Sequence, residues 1–395
     1  MSKGSYGIGV QTGGVKAMRY PPRTTMLILV TLYVSCAVLS FCEAERVAHV
    51  AYRVKFIAFL SILTLSALCM TTRGALRIPF RNRILFSAWF LWCISLLPAV
   101  SVSDNVLLAS GQWMIYLSVG LLTCVIVPFW IRSDEDAARL IRLYMCSIAV
   151  PIGIVIAMML IRGDAIYYIN QSDGRVRYDF GFVNPNFIGC FAATVAVQWL
   201  QRYRDFRSDR LVYNLVFLVL VIGVTVATNS RASILFAGLY LVASLVLRWA
   251  EHHRYGSAFL LVTALLIVVL GFIAIVSIAV SGSPIDAWEE LNRYSSGRLN
   301  YWRLVIQEMQ GKRVLFGYGL RTPSESVSSE AKAYENWFVS HYVQTGLFGI
   351  TGVTLVIIAS FICASTIHDE RSRSAATSLL VAWMAYCFFE NAFAI

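Results

Sequence analysis

Charged residues are scarce in this chain. They make up 14% of its 395 residues, whereas hydrophobic residues make up 58%. A soluble protein carries about 25% charged residues, so the shortage excludes a sizeable soluble domain. Uncharged apolar runs of about 18 residues or more recur along nearly the whole length. They predict a single all-α, polytopic membrane domain over residues 1–395.

Two further absences bear on function. Ionisable side chains are almost missing from the middle of the apolar runs, and no internal repeat is evident. Secondary transporters commonly combine inverted repeats with ionisable groups at mid-membrane. The pattern therefore favours chemistry at the membrane boundary over a path through the membrane centre. A transporter or flippase stays open as the alternative from another class.

Paired cysteines are also lacking. None of the nine cysteines forms a Cys-x-x-Cys motif, and they fall inside or beside apolar runs, where cysteine behaves as a small hydrophobe. His252 and His253 are adjacent, which is poor ligand geometry on a helix. We therefore expect no metal site and no cofactor.

The apolar runs predict eleven spans. The segment 336–366 is longer than one crossing needs, so it would tilt, project beyond the membrane or form two half-helices, and twelve spans are an alternative. The first run has no small-residue cleavage site after it and is an ordinary span. The spans are 25–42, 56–72, 84–102, 111–131, 143–161, 181–200, 211–229, 232–249, 257–281, 345–366 and 375–394.

Basic loops predict the orientation. The N-terminal tail and the loop after the second span carry basic residues without acids, and 201–210 and 248–254 are again basic, so these belong in the cytoplasm. The net charge of +11 is then a topology signal rather than a sign of nucleic-acid binding. The loops expected outside are 43–55, 103–110, 163–180, 229–232 and the main periplasmic loop, 282–335.

Arginines recur in these outer loops. Arg175 and Arg177 precede Asn184-Pro185-Asn186, a helix start of the kind that attracts anions. Arg231 lies in a hairpin, 228–233, too short for a real loop, where an arginine must snorkel or meet an anion. The alternatives are solvated loop charges for Arg175 and Arg177, a plain helix cap for Asn184 and Asn186, and a topology anchor for Arg231.

Arg298 falls in the first turn of a predicted amphipathic helix, which Ser295 or Ser296 would start. Apolar residues recur after it at helical spacing, which suggests a helix lying on the membrane surface. A cation is unfavourable at a helix start, so a bound anion would remove the penalty. The apolar positions are Leu299, Trp302, Val305, Ile306 and Met309.

An acid and an amide stand together at the start of the long segment 336–366. Glu335 is a candidate general base, with Asn336 beside it, because partial burial would raise its pKa. Compensation of the helix dipole is the plainer interpretation. His341 lies further along and is more readily interpreted as a packed histidine.

The order of these motifs resembles the superfamily of O-antigen polymerases and O-antigen ligases, which are bacterial membrane glycosyltransferases. The resemblance covers about residues 170–350. Its elements are Asn184-Pro185-Asn186, Ser230-Arg231, Ser296-Gly297-Arg298 with Trp302, Gly317-Tyr318-Gly319, and Glu335-Asn336 followed by Gly346 and Gly349.

The resemblance implies a GT-C-like helix bundle of the inner membrane with a periplasmic active site. Its donor would be a glycan on undecaprenyl diphosphate, and a chain-length regulator is a candidate partner. Ligases of the family usually have a His-Asn pair where this chain has Glu335-Asn336, which favours a polymerase. His341 would still offer an imidazole, so a ligase that transfers the polymer to lipid A-core stays open.

Glycosyl transfer from a lipid diphosphate needs a base for the acceptor hydroxyl and positive charge for the leaving group. Without a metal, arginine forks suit the phosphate oxygens. Arg231 and Arg298 are the predicted clamps, with Arg175 and Arg177 assisting. Glu335 would be the base, and Asn336 would orient it. Tyr334, Trp337 and Trp302 are candidates for stacking on sugar rings, although aromatic residues at a membrane boundary are ordinarily belt residues.

Overall fold

A computed structural model describes residues 23–72, 80–130, 134–163, 167–169, 176–182, 185–203, 211–251, 298–320, 336–367 and 369–389. These ranges form a bundle of helices with one small two-stranded sheet.

The helices before residue 163 are mostly long. A π-helical turn, Leu122–Ile126, interrupts the helical run between α5 and α6, and Pro151 lies inside α7. They are α1 (Arg23–Leu39), α2 (Glu45–Thr72), α3 (Phe80–Ser95), α4 (Leu97–Ser101), α5 (Val106–Leu121), α6 (Val127–Trp130) and α7 (Asp134–Arg162).

A short antiparallel hairpin, β1 (Tyr167–Ile169) and β2 (Val176–Tyr178), follows α7. The remaining helices are α8 (Pro185–Tyr203), α9 (Leu211–Ala227), α10 (Arg231–Glu251), α11 (Arg298–Gln307), α12 (Lys312–Phe316), α13 (Trp337–Ser365) and α14 (Glu370–Phe389).

The chain is a multi-pass membrane protein. Among the described residues, five helical stretches are long and apolar enough to cross a membrane: Glu45–Cys69, Arg83–Ser101, Val106–Ile126, Arg139–Arg162 and Trp337–Ser365. Shorter apolar helices are Thr25–Leu39, Asn186–Trp199, Leu218–Ala227 and Ala232–Leu247. This agrees with the predicted all-α helix bundle.

Ten of the eleven predicted spans fall on helices, and 257–281 lies outside the described residues. Several boundaries were wrong. Most of the predicted loop 43–55 belongs to α2, which begins at Glu45, and α7 begins nine residues before the predicted span 143–161. A helix satisfies its own backbone hydrogen bonds and so continues past its apolar run. An acid in the first turn, Glu45 in α2, is favourable there.

The β-hairpin of β1 and β2 marks one end of the helix bundle, which is called the hairpin end below. The backbone N–H of Glu43 donates to the Gly181 carbonyl at 2.9 Å, and Cys42 and Phe182 form an isolated β-bridge. The end of α1 and the start of α2 therefore lie beside the start of α8. Part of the predicted outer loop 163–180 is thus β-structure, with Arg177 opposite Tyr168.

The largest buried cluster joins the helices that carry the predicted motifs. It contains Trp92 of α3, Ala232 of α10, Trp337 of α13 and Tyr386 of α14, together with Leu320 from the segment after α12. Burial of large side chains of this kind is the main apolar contribution to a fold.

Helix α13 is two helical segments joined at Gly346. This residue has φ 63° and ψ −162°, far from helical values. Of the three alternatives for 336–366, the structure therefore shows two half-helices, because a helix cannot continue through a left-handed φ. The first half is short, and the second half runs on to Ser365.

Candidate active site

The tight turn between α9 and α10 is built from buried hydroxyl groups. Thr228 and Ser230 are fully buried, and Asn229 adopts a positive φ of 47°. The Ser230 hydroxyl accepts from the Ser233 backbone N–H at 3.3 Å and from the Ser233 hydroxyl at 2.8 Å. Ser230 thus caps α10, and Arg231 is the first residue of that helix.

Helix α8 is hydrogen-bonded to this turn. The Ser233 hydroxyl also lies 3.3 Å from the Asn186 carbonyl, which Tyr386 of α14 approaches with its own hydroxyl at the same distance. Gly189 leaves room for the contact, because a Cβ there would lie 2.7 Å from the hydroxyl oxygens of both Ser233 and Thr228. The starts of α8 and α10 therefore meet, together with α14.

The predicted amphipathic helix exists as α11, which begins at Arg298. Its apolar face was expected on the membrane surface, and this part of the prediction was wrong. Trp302, Val305 and Met309 pack instead against Val339 and Val343 in the first half of α13. An apolar helix face with this spacing can pack against lipid or against protein. Only the three-dimensional arrangement distinguishes the two cases.

Asn336 caps α13. Its side-chain oxygen accepts from the Val339 backbone N–H at 3.0 Å, and the residue is 2% exposed. Asn336 thus fixes the helix start directly after the predicted base, Glu335. The orienting role that we predicted for Asn336 stays a prediction, since Glu335 lies outside the described residues.

His341 is enclosed by two tryptophans. Its ring stacks on Trp337 with centroids 4.9 Å apart, and its Nε2 accepts from the Trp92 indole N–H at 3.1 Å. An indole N–H is only a donor, so this contact needs an unprotonated Nε2. To act as a base through that nitrogen, His341 would have to give up the contact with Trp92.

The break in α13 is filled by the Gly317-Tyr318-Gly319 motif. The backbone N–H groups of Tyr318 and Gly319 donate to the carbonyls of Val343 and Gln344 at 2.8 and 3.0 Å. These are carbonyls that the break at Gly346 leaves without regular helical partners. The motif therefore completes the helix hydrogen bonds from outside.

Glycine is needed on both sides of this contact. Gly317 and Gly346 have φ of 74° and 63°, and a side chain on either would overlap the backbone of the other segment. Phe316 and Phe348 stack across it with centroids 5.5 Å apart. On the far side of the motif, the Ser103 hydroxyl donates to the Leu320 carbonyl at 3.0 Å.

The predicted site residues fall into three groups. Arg175, Tyr334 and Glu335 lie outside the described residues, and for Arg177, Arg231 and Arg298 only the backbone is described. Trp302, Asn336, Trp337 and His341 are described in full, and each is buried. The predicted roles of all ten residues remain predictions.

Sequence reasoning missed Trp92 and Ser233. Trp92 lies 249 residues from His341 in an ordinary apolar run, and Ser233 resembles any small helix residue. The short turn at 228–233 was the one sequence feature that pointed towards Ser233, and no sequence feature pointed towards Trp92.

Four helix starts in this region share one feature of charge. None of α8, α10, α11 and α13 carries an acid in its first turn, and α10 and α11 each begin with an arginine. A helix start bears a partial positive charge, which an anion stabilises. These starts therefore favour a negatively charged ligand.

Residues 216–354 match a family model described as O-antigen ligase. The match covers about a third of the chain and supports the resemblance to the O-antigen ligase and polymerase superfamily. No curated protein matches the chain. The matched stretch runs from α9 into the second half of α13 and contains the arginine helix starts, the Gly317-Tyr318-Gly319 motif and the break at Gly346. The match indicates a glycosyltransferase-like enzyme of the ligase or polymerase type.

Proposed function

We propose that this protein polymerises oligosaccharide repeat units carried on undecaprenyl diphosphate. The reaction takes place at the periplasmic face of the bacterial inner membrane, with the N-terminus in the cytoplasm. It uses no metal and releases undecaprenyl diphosphate. The product is an O-antigen or a related surface polysaccharide.

One observation carries the proposal. Within the matched domain, α10 and α11 each begin with an arginine and have no acid in the first turn. Ala232, next to Arg231, shares a buried cluster with Trp337 at the start of α13. One turn after Arg298, Trp302 packs against that same first half of α13. The starts of α10 and α11 are thus linked through buried clusters to the first half of α13, which directly follows the candidate base in the sequence, and this supports a site for a diphosphate.

The chemistry follows from these positions. Glu335 takes the proton of the acceptor hydroxyl, and the acceptor oxygen attacks the anomeric carbon of the donor sugar. The bond between that carbon and the diphosphate oxygen breaks, and its electron pair leaves on the diphosphate. Arg231 and Arg298 stabilise the developing charge, and Arg175 and Arg177 assist.

Glu335 is preferred to His341 as the base. It directly precedes the buried cap Asn336, whereas His341 is 3% exposed and held by Trp92. Trp337 stacks on His341 and Trp302 packs on Val339 and Val343, so Tyr334 has the greater claim to a sugar contact.

A ligase is the second candidate function. The matched family model is described as O-antigen ligase, which favours transfer of a finished polymer from undecaprenyl diphosphate to lipid A-core. The acid at 335 favours the polymerase, because ligases of the family that the chain resembles usually have a His-Asn or similar pair where this chain has Glu335-Asn336.

The glycan profile of a strain lacking the gene separates the candidates. Loss of a polymerase leaves lipid A-core capped with a single repeat unit. Loss of a ligase leaves bare core, and loss of a transporter traps lipid-linked units in the cytoplasmic leaflet. Either of the last two profiles would refute the polymerase.

Complementation tests the residues. Arg231→Ala, Arg298→Ala and Glu335→Gln should each abolish chain growth at normal protein levels. Arg46→Ala is the matched control, since Arg46 is an exposed arginine in the first turn of α2, beside the hairpin end. Normal chain lengths from both arginine variants would refute the clamps, and full activity of Glu335→Gln would exclude it as the base.

A further inference from the structure

A crevice of about 420 Å³ opens far from the arginine helix starts. It lies between α1, α2, α7 and α8, beside the π-helical turn and α6. Its lining is almost entirely apolar and includes Met26, Val30, Ile62 and Leu122. This volume is typical of sites that hold small molecules, and an apolar cavity does not hold ordered water.

The π-helical turn shapes one wall. Leu122 and Ile126 are its first and last residues, and both line the crevice. A π-helical turn inserts one extra residue into a helix and locally displaces its side chains, and such turns are frequent at functional sites. The backbone of α5 and α6 is therefore irregular where the space opens.

The crevice also has polar lining at one level. Asp136 and Arg139 lie one turn apart on α7, and Gln198 lies on α8. Arg139 is five residues from the start of α7 and Gln198 five from the end of α8, so each lies about 8 Å from its helix end at 1.5 Å per residue. Both ends are opposite the hairpin end, because α7 leads into the hairpin and α8 follows it.

Gln198 carries the decisive observation. Its side-chain oxygen Oε1 is buried and accepts no hydrogen bond from any residue that the structure describes. A buried acceptor without a donor is unfavourable and calls for one. The crevice that Gln198 lines is the natural source of that donor.

We propose that this crevice binds a phospholipid whose headgroup joins a phosphate to a primary ammonium group. One hydrocarbon chain lies along Val30, Ile62 and Leu122. The Arg139 guanidinium contacts the phosphate. The ammonium donates to Gln198 Oε1 and to the Asp136 carboxylate.

Charge and hydrogen bonding select this headgroup. A guanidinium suits a phosphate, whereas a carboxylate and an amide oxygen both accept hydrogen bonds. A trimethylated ammonium has the charge but no N–H to donate. A glycerol headgroup has O–H donors but no positive charge to face Asp136. The site therefore prefers phosphoethanolamine over phosphocholine and phosphoglycerol.

Native mass spectrometry of the full chain tests this preference. Detergent-solubilised protein is mixed with equal amounts of dioleoyl phosphatidylethanolamine, phosphatidylcholine and phosphatidylglycerol, and the bound lipids are counted. We expect one tightly held lipid per chain, mainly phosphatidylethanolamine. Equal binding of the three lipids, preference for either of the others, or no retained lipid would overturn the proposal.

Two variants assign the lipid to the crevice. Gln198→Leu should lower the preference for phosphatidylethanolamine over phosphatidylcholine about tenfold, since a hydrogen bond to a charged group is lost. Val30→Trp should displace the chain and lower retention of every lipid.

Arg142→Gln is the matched control, because Arg142 lies one turn beyond Arg139 on α7, is exposed and does not line the crevice. It should bind as the wild type does. If Val30→Trp fails to give monodisperse protein, Gln198→Leu alone decides. An unchanged lipid ratio in Gln198→Leu would place the lipid elsewhere and refute the site.

Discussion

Two helical runs of this protein are interrupted, and the two interruptions differ in what lies beside them. In α13 the break at Gly346 is closed by the chain itself, because the backbone of Tyr318 and Gly319 hydrogen-bonds the carbonyls of Val343 and Gln344. The π-helical turn Leu122–Ile126 instead borders an open crevice lined by Gln198, whose side-chain oxygen accepts no hydrogen bond from the residues that the structure describes. One irregularity is filled by protein, and the other borders the space that we propose a lipid occupies.

The two regions therefore have different tasks. The closed break keeps a helix rigid, whereas the crevice provides space for a bound molecule. The closed break holds the first half of α13, and with it Asn336 and Trp337, in a fixed place against α11. Catalytic groups need such fixed support. The crevice needs only the right shape and a few polar groups, since its occupant supplies the remaining contacts.

The largest expected effect is at Gly346. Gly346→Ala should destabilise the fold by about 3 kcal/mol or more, because the positive φ is strained for alanine and the new Cβ would overlap the Leu315 backbone. Thermal unfolding in detergent measures it. Gly238→Ala in α10 is the control, since open space surrounds Gly238, and it should be neutral or stabilising. Equal stability of the two variants would show that the break is not tightly closed.

Next in size is the support of His341. Trp92→Phe removes the indole donor and leaves a buried imidazole nitrogen unpaired, which should cost about 1–3 kcal/mol. Trp113→Phe should cost less, because the Cys93 carbonyl that it contacts also accepts from the Leu96 N–H. The double variant Trp92→Phe, His341→Phe should recover part of the loss. No recovery would show that the hydrogen bond contributes little.

A matched pair of insertions compares the two regions directly. Val343→Phe adds volume to a fully buried site beside the closed break and should cost about 1–3 kcal/mol. Val30→Phe adds similar volume to the crevice and should change stability by less than about 0.5 kcal/mol. Both are measured by thermal unfolding of delipidated protein. A larger loss from Val30→Phe would mean that the crevice has no spare room.

The smallest effect concerns charge at the hairpin end. Burial, and then the nearby Asp179 carboxylate, raise the pKa of Glu43 above its ordinary value of 4.5. The folded state therefore favours protonated Glu43, and the protein should lose stability as the pH rises above about 4.5 through the raised pKa. Because Glu43 is largely exposed, the loss should stay below about 1 kcal/mol.

Glu43→Gln should remove this part of the pH dependence, and Asp179→Asn should reduce it. Melting temperatures at pH 4.5 and pH 7 for the three proteins give the comparison. A wild-type protein that gains more stability than Glu43→Gln over this range would contradict the assignment.

Much of the candidate site was predictable because its signals are local. Two long apolar runs separated by only a few residues predict two helices that meet in a tight turn at 228–233, and apolar residues at helical spacing predict α11. The residue that each helix end contacts was not predictable. Trp92 reaches His341 only after α3 and α13 pack together, and no periodicity records such a pairing.

The sequence by itself determined that this is a helical membrane protein and that it resembles the O-antigen ligase and polymerase superfamily, because long apolar runs and short ordered motifs depend on neighbouring residues alone. Only the tertiary structure decided that α11 packs on protein rather than lipid, that Gly317 and Gly346 meet, and that a crevice opens beside Gln198. Each of these depends on distant residues competing for the same space, and the outcome is set by packing and by buried hydrogen bonds that a linear pattern does not encode.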